Sequence, residues 1–166
     1  MLIVIRLLFR LRLMTLRIGI VDTTFARVDM ARYAIEELKN NEPSIVIERI
    51  TVPGFKNTPW AAKQLINRGV DAVMVFGWIG PSLTDKITYA VASMGLIMLQ
   101  IEYDKPIIDV TVHEDEARDE KELFDIAVDR SRKHARNLIL MLRGELTKWA
   151  GMGLRQGRPD VGPIIR

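Results

Sequence analysis

His113, Glu114, Asp115 and Glu116 form the richest acid–base run in the sequence. An imidazole titrates at about pH 6.5 unless its surroundings shift it, so His113 has the natural range of a general base. Glu114 or Asp115 beside it would orient the ring or accept protons from substrate hydroxyls. The same acids also suit the first turn of a helix, where negative charge meets the positive end of the dipole; Asp119 and Glu120 read as that alone. A second concentration is DTTFAR, Asp22 to Arg27. A strand-to-helix turn needs only a glycine or one capping residue, yet this one holds a carboxylate, two hydroxyls, an aromatic ring and a guanidinium.

Two further stretches have site-like composition. VPGFKNTP, from Val52 to Pro59, combines a turn-fixing Pro53 with Gly54, which permits positive φ and close approach of the main chain. An ordinary Pro-Gly turn is the alternative. GWIGPS places Trp78 directly after Gly77, where an indole would cover a ring or fill an interface.

The elements that must position these residues follow from hydropathy. Short apolar, β-branched runs predict strands over Leu16–Val21, Ile45–Val52, Ala72–Gly77 and Ile107–Val112. Helical patterns fill Val28–Asn40, Thr58–Arg68 and Ser82–Tyr103. A long charged helix over Asp119–Arg143 carries Leu123, Ile126, Ala127, Ala135, Leu138 and Leu142 at helical spacing. Strands alternating with helices imply βαβ units and a parallel sheet covered on both faces. Ligands of such sheets lie at the carboxyl ends of the strands, and all the candidate stretches fall there. The tail from Gly144 is rich in Gly, Arg and Pro and predicts an irregular segment.

The chain has 166 residues, 48% hydrophobic and 27% charged, which fits one soluble globular domain. Its net charge of +3 is matched by three arginines within the first thirteen residues, MLIVIRLLFRLRL. Elsewhere basic and acidic residues interleave, with no aromatic-and-basic stripe, so no nucleic-acid partner is expected. The N-terminal run is shorter than the roughly 20 residues a membrane span needs, and it lacks a signal-peptide layout. Residues 1–13 read as an extension from an upstream start or a dispensable arm, with a short membrane-surface helix as the alternative. Residues 14–166 read as one domain. No membrane partner and a cytoplasmic location are the expectations. With no cysteine, thiolate chemistry, disulfides and thiolate metal sites are excluded. Two histidines are too few for a His-based zinc site unless carboxylates complete it, and no metal ligands are assigned.

The segments GIVDTTFARVDMA, TVPGFKNTPWAAKQL, VHEDEARDEKEL and GLRQGRPDVGP together resemble archaeal riboflavin synthase, of the lumazine synthase superfamily. The resemblance runs from about Met14 to Arg166. It implies a flavodoxin-like three-layer α/β sandwich with a four-stranded parallel sheet, assembled as a homopentamer with active sites between neighbouring subunits. The implied reaction is a dismutation of two molecules of 6,7-dimethyl-8-ribityllumazine. One yields a four-carbon unit and becomes 5-amino-6-(D-ribitylamino)uracil; the other becomes riboflavin. Electrons are redistributed between identical substrates, so no redox cofactor is needed. The resemblance admits a divalent cation such as magnesium, without a dedicated cage in these residues.

On that reading Phe25 would stack on the flat heterocycle; packing as a hydrophobic staple against the following helix is its alternative. Thr23 and Thr24 would bond the ring edge or ribityl hydroxyls, or cap the helix. Asp22 would anchor the loop or touch substrate. Arg27 would pair with a carboxylate across the interface, or stand solvated at the helix start. Pro53, Gly54 and Phe55 belong to a loop presenting backbone amides to the pyrimidinedione, and Gly77 and Trp78 complete the substrate-binding set. His113 would help remove the proton from the methyl group at carbon 7. Arg155, in the tail, would fold over a neighbour's pocket. The basic run Asp129–Arg136 reads as a solvated or intersubunit helix face, and Lys86 as a surface lysine.

Two alternatives stay open. A 6,7-dimethyl-8-ribityllumazine synthase would need to hold a sugar phosphate, and that family has a histidine near the loop after strand three. GPSLTDKITYA has none. A non-catalytic lumazine- or flavin-binding module would use the same loops. A phospho-receiver is disfavoured, because strand three ends in FGWIGPS with no acid.

Overall fold

In the computed structural model, which describes residues 15–156 and 159–164, four parallel strands form one sheet in the order β2-β1-β3-β4. The strands are β1 (Arg17–Thr23), β2 (Val46–Val52), β3 (Ala72–Ile79) and β4 (Ile107–His113). Four α-helices connect and flank them: α1 (Met30–Asn41), α2 (Thr58–Asn67), α3 (Leu83–Tyr103) and α4 (Glu120–Leu142). The expected α/β class, with its four-stranded parallel sheet, is the one observed. The N-terminal extension lies outside the described residues.

Side-chain alternation along the strands builds two cores. Ile18, Ile20, Met74, Phe76, Trp78, Val110 and Val112 face α1 and α4. Val21, Val52, Val73, Val75, Ile79 and Ile107 face α2 and α3. β3 is buried along its whole length, as expected of a central strand between two helical layers.

The strands run further toward the site than hydropathy alone indicates. Thr23 pairs with Val52, and Ile79 with His113. Asp22, Thr23 and Trp78 are therefore strand residues rather than loop residues. Ladder hydrogen bonds to a neighbouring strand outweigh the polar or aromatic character that reads as a loop. α1 begins at Met30, later than expected, because Asp29 caps it by accepting from the Arg32 amide at 3.2 Å. Neither threonine is the cap.

Gly77 is needed for a close approach. A Cβ there would lie 2.3 Å from Thr111 Oγ1 and 2.6 Å from the Phe55 ring. Phe55 is buried in the α2–α3 core, where it meets Tyr89 at 5.3 Å between centroids. Gly77→Ala is therefore expected to destabilise the fold by about 1–3 kcal/mol through overpacking; an unchanged urea midpoint would contradict this packing.

Candidate functional site

The carboxyl ends of all four strands carry polar groups held in fixed positions by partners from neighbouring elements. Asp22 accepts from Arg49 Nε at 3.1 Å, from Arg49 Nη2, and from Thr51 Oγ1 at 2.7 Å. Arg49 Nη2 also reaches Asp29 Oδ1 at 2.9 Å. One guanidinium thus ties the end of β1 to the cap of α1. Asp22 is an anchor inside the fold, and Arg49, its partner, was not legible as a site residue.

Thr24 holds the first loop against the second: its amide donates to the Val52 carbonyl at 2.9 Å and its hydroxyl to that of Pro53 at 3.4 Å. Thr23 is buried and its hydroxyl has no partner among the described residues. It lines a recess of about 280 Å³ with Asp29, Arg49 and Thr51. Phe25 is 61% exposed at the loop tip, so it makes no hydrophobic staple. Gly54 is extended, with φ −150°, and does not use the left-handed region. A side chain there would meet nothing within 4 Å among the described residues, which leaves the backbone beside exposed Pro53 open to approach.

Packing within the chain places three further side chains. Phe55 is buried behind Gly77 and not presented to the solvent side of the loop. Trp78 is 3% exposed in the α1–α4 core and donates Nε1–H to Glu114 Oε1 at 2.7 Å. Arg27 pairs with carboxylates of its own chain, Glu120 and, at 3.7 Å, Glu114.

The loop after β4 is held by a cation on each acid. Glu114 meets Arg27 and the Trp78 indole; Asp115 meets Lys86; Glu116 meets Arg130, with Nη2 to Oε2 at 2.5 Å. Lys86 and Arg130 hold Asp115 and Glu116 charged, the carboxyls lying below the ordinary range. These acids therefore fix the loop rather than clasp the imidazole. His113 packs instead edge-to-face on Tyr89, ring centroids 5.0 Å apart, while its amide donates to Glu116 Oε1 at 2.8 Å. Because these carboxylates are already matched to cations, they do not fit a magnesium cage. Among the described residues no group of three or more His, Asp or Glu side chains is arranged for a metal.

His113 and Asp115 open onto a cavity of about 700 Å³ beside edge strand β4, lined also by Lys86, Tyr89, Asp109, Thr111, Arg130 and His134. The basic run is thus partly a site wall, since Arg130 and His134 both face this cavity. Asp109, Thr111 and His113 alternate along β4, a period-two polar stripe in IDVTVH that was the available signal for Asp109. The tail packs on its own chain. Asn137 Nδ2 donates to the Arg155 carbonyl, and the Arg155 guanidinium lies 4.2 Å from the Trp149 ring centroid. Gln156 and Pro159 complete the cavity wall. The structure groups Asp22, Thr23, Thr24 and Arg27 at one recess and His113 with Asp115 at the other. Arg155 touches neither.

An open α/β sandwich with conditioned polar loops at the carboxyl edge of a parallel sheet defines a small-molecule site of the kind such sheets carry. The profile of the 6,7-dimethyl-8-ribityllumazine synthase family matches residues 15–145. The chain belongs to this family. It is 53% identical to a riboflavin synthase of Aeropyrum pernix over 89% of this chain and 97% of that one. It is 49% identical to a riboflavin synthase of Archaeoglobus fulgidus over 91% and 100%. A 6,7-dimethyl-8-ribityllumazine synthase of Methanopyrus kandleri is 35% identical over 55% of this chain and 69% of its own length.

His134 supplies a pH test of this architecture. Burial, and then the nearby Arg130 charge, lower its pKa from 6.5 to about 4. Between those values the unfolded chain binds the proton and the folded one does not, so stability rises with pH across this window. Urea midpoints are expected to fall as pH drops from about 6.5 to about 4, and His134→Gln is expected to flatten that slope.

Proposed function

We propose that this protein is a riboflavin synthase of the archaeal type, a transferase that converts two molecules of 6,7-dimethyl-8-ribityllumazine into riboflavin and 5-amino-6-(D-ribitylamino)uracil. One observation carries the reading. Relatives named riboflavin synthase match at 49–53% identity over 89–91% of the chain. Those named lumazine synthase match at 32–35% over only 55–57%. The geometry agrees: an exposed aromatic ring stands on a loop pinned to the Val52 and Pro53 carbonyls, and at a separate recess an imidazole opens onto a cavity of about 700 Å³.

In this reading Phe25 supplies a stacking face, and Thr23, Thr24 and the backbone near Pro53 and Gly54 supply the polar rim. Asp22 and Arg27 hold the first loop through Arg49, Glu114 and Glu120. His113 accepts a proton from the substrate methyl group, and the resulting carbanion is delocalised into the ring. Orienting two bound molecules replaces a slow encounter and supplies most of the rate. The exchange of electrons between identical substrates requires no redox cofactor, and no step is assigned to magnesium. Residues 1–13 are read as dispensable, and the compartment as the cytoplasm.

The homopentamer is proposed on the same basis, with support from α3. Leu83, Ile87, Val91, Met94, Met98 and Ile101 recur at helical spacing and are 55–77% exposed, an apolar stripe of the kind that marks association. A double Ile87→Glu, Met94→Glu variant is expected to lower the mass measured by light scattering toward one chain; an unchanged assembly would exclude α3 as its contact.

The decisive assay supplies dimethyl-ribityllumazine alone to chains starting at Met1 and at Met14. Riboflavin is expected from both without any sugar phosphate; none from either would refute the assignment. His113→Ala is expected to lower kcat about a hundredfold or more, and Phe25→Ala to lower kcat/KM about tenfold. Full activity in both variants would refute the assigned roles.

A further inference from the structure

The floor of the β4 cavity centres on Asp109, whose two carboxyl oxygens each accept a hydroxyl proton from the protein. Ser93 Oγ, from α3, donates its single proton to Asp109 Oδ2 at 2.9 Å. Thr111 Oγ1 donates its own to Asp109 Oδ1 at 2.5 Å. A hydroxyl has one proton and two lone pairs. With both protons committed to the same carboxylate, the unused capacity of Ser93, Thr111 and Asp109 consists of lone pairs. Asp109 and Thr111 line the cavity, with Tyr89 as a further wall.

We infer that Asp109, with the hydroxyls it orients, is a polyol-recognition site that selects the ribityl chain of the substrate and rejects an anionic tail. The inference rests on the proposed function for the identity of the ligand. A ribityl chain is neutral and brings several O–H donors, which such a floor requires. A phosphate brings acceptors and negative charge, so it meets lone pairs and a carboxylate. The stripe therefore separates a ribityl substrate from a sugar phosphate by chemistry already present in the fold.

The surroundings agree with this role. Burial pushes the Asp109 carboxyl above its ordinary range, while Thr111, Ser93, Tyr89 and His113 act in the opposite direction. The carboxylate thus lacks part of the solvation that water would give, and ligand hydroxyls would restore it. The charged and titratable groups facing this cavity are Lys86 and Tyr89 from α3, His113 from the same strand, Asp115 and Glu116 from the following loop, and Arg130 and His134 from α4. Lys86 and Arg130 are engaged with Asp115 and Glu116. The loop acids thus offset part of the positive charge that an anionic tail would seek.

Binding of 6,7-dimethyl-8-ribityllumazine is compared with that of 6,7,8-trimethyllumazine, which has the same ring and no hydroxyl chain, by fluorescence titration. The protein is expected to prefer the ribityl compound by about tenfold or more, the range of hydrogen bonds to a charged group. Asp109→Asn is expected to reduce this preference to about threefold or less while binding of the trimethyl compound stays unchanged. Ser93→Ala is expected to give an intermediate value and serves as the test if Asp109→Asn does not fold. A preference near one in the unaltered protein overturns the inference, as does equal weakening of both ligands in either variant. Turnover of the unaltered protein is scored separately: riboflavin formation with no ribityl preference refutes the polyol site alone, and ribityl-selective binding without turnover refutes the catalytic reading alone.

Discussion

The matching of a cation to each of four carboxylates in the loops and strand ends at the sheet's carboxyl edge is the constraint on which the site depends. Asp22 is set by Arg49, Glu114 by Arg27, Asp115 by Lys86 and Glu116 by Arg130. Of these, only Asp115–Lys86 is exposed on both sides, and such a pair is worth about 0–1 kcal/mol. The effect of the four pairs is positional, because the partners come from different elements: β2 to β1, the first loop to the last, α3 and α4 to the loop after β4. The loops are thereby held to one another as well as to the sheet, and Phe25 and His113 stand on backbone fixed from several directions.

The layered architecture was legible because its signals are local. Four β-branched runs alternating with helical patterns admit few arrangements other than a covered parallel sheet. The strand ends were less legible. Trp78 and Thr23 read as loop residues because polarity and aromaticity carry no record of which neighbour pairs with the backbone. Gly54 read as a left-handed turn because the Pro-Gly pair permits it, yet the chain leaves it extended.

The candidate site was legible in its loops and hidden in its walls. His113 and Phe25 stand out through residue type and place in the sequence. Asp109, Tyr89 and Arg130 do not, because each sits inside a regular element where a polar residue ordinarily means a solvated face. Only the spatial meeting of β4 with α3 and α4 gives them a common cavity. Arg27 shows the converse: residue type and place single it out, while its partners within the chain, Glu120 and Glu114, lie about 90 residues away.

The Arg130 contact with the carbonyl of Thr111 has a separate consequence. β4 borders the sheet, and Arg130 Nη1 donates to that carbonyl at 2.5 Å. Open sheet borders invite another chain to extend the ladder, a route to runaway fibrous growth. A guanidinium already seated there, with Glu116 accepting from both Nη1 and Nη2, takes up one carbonyl of the border strand that an intruding strand could otherwise use.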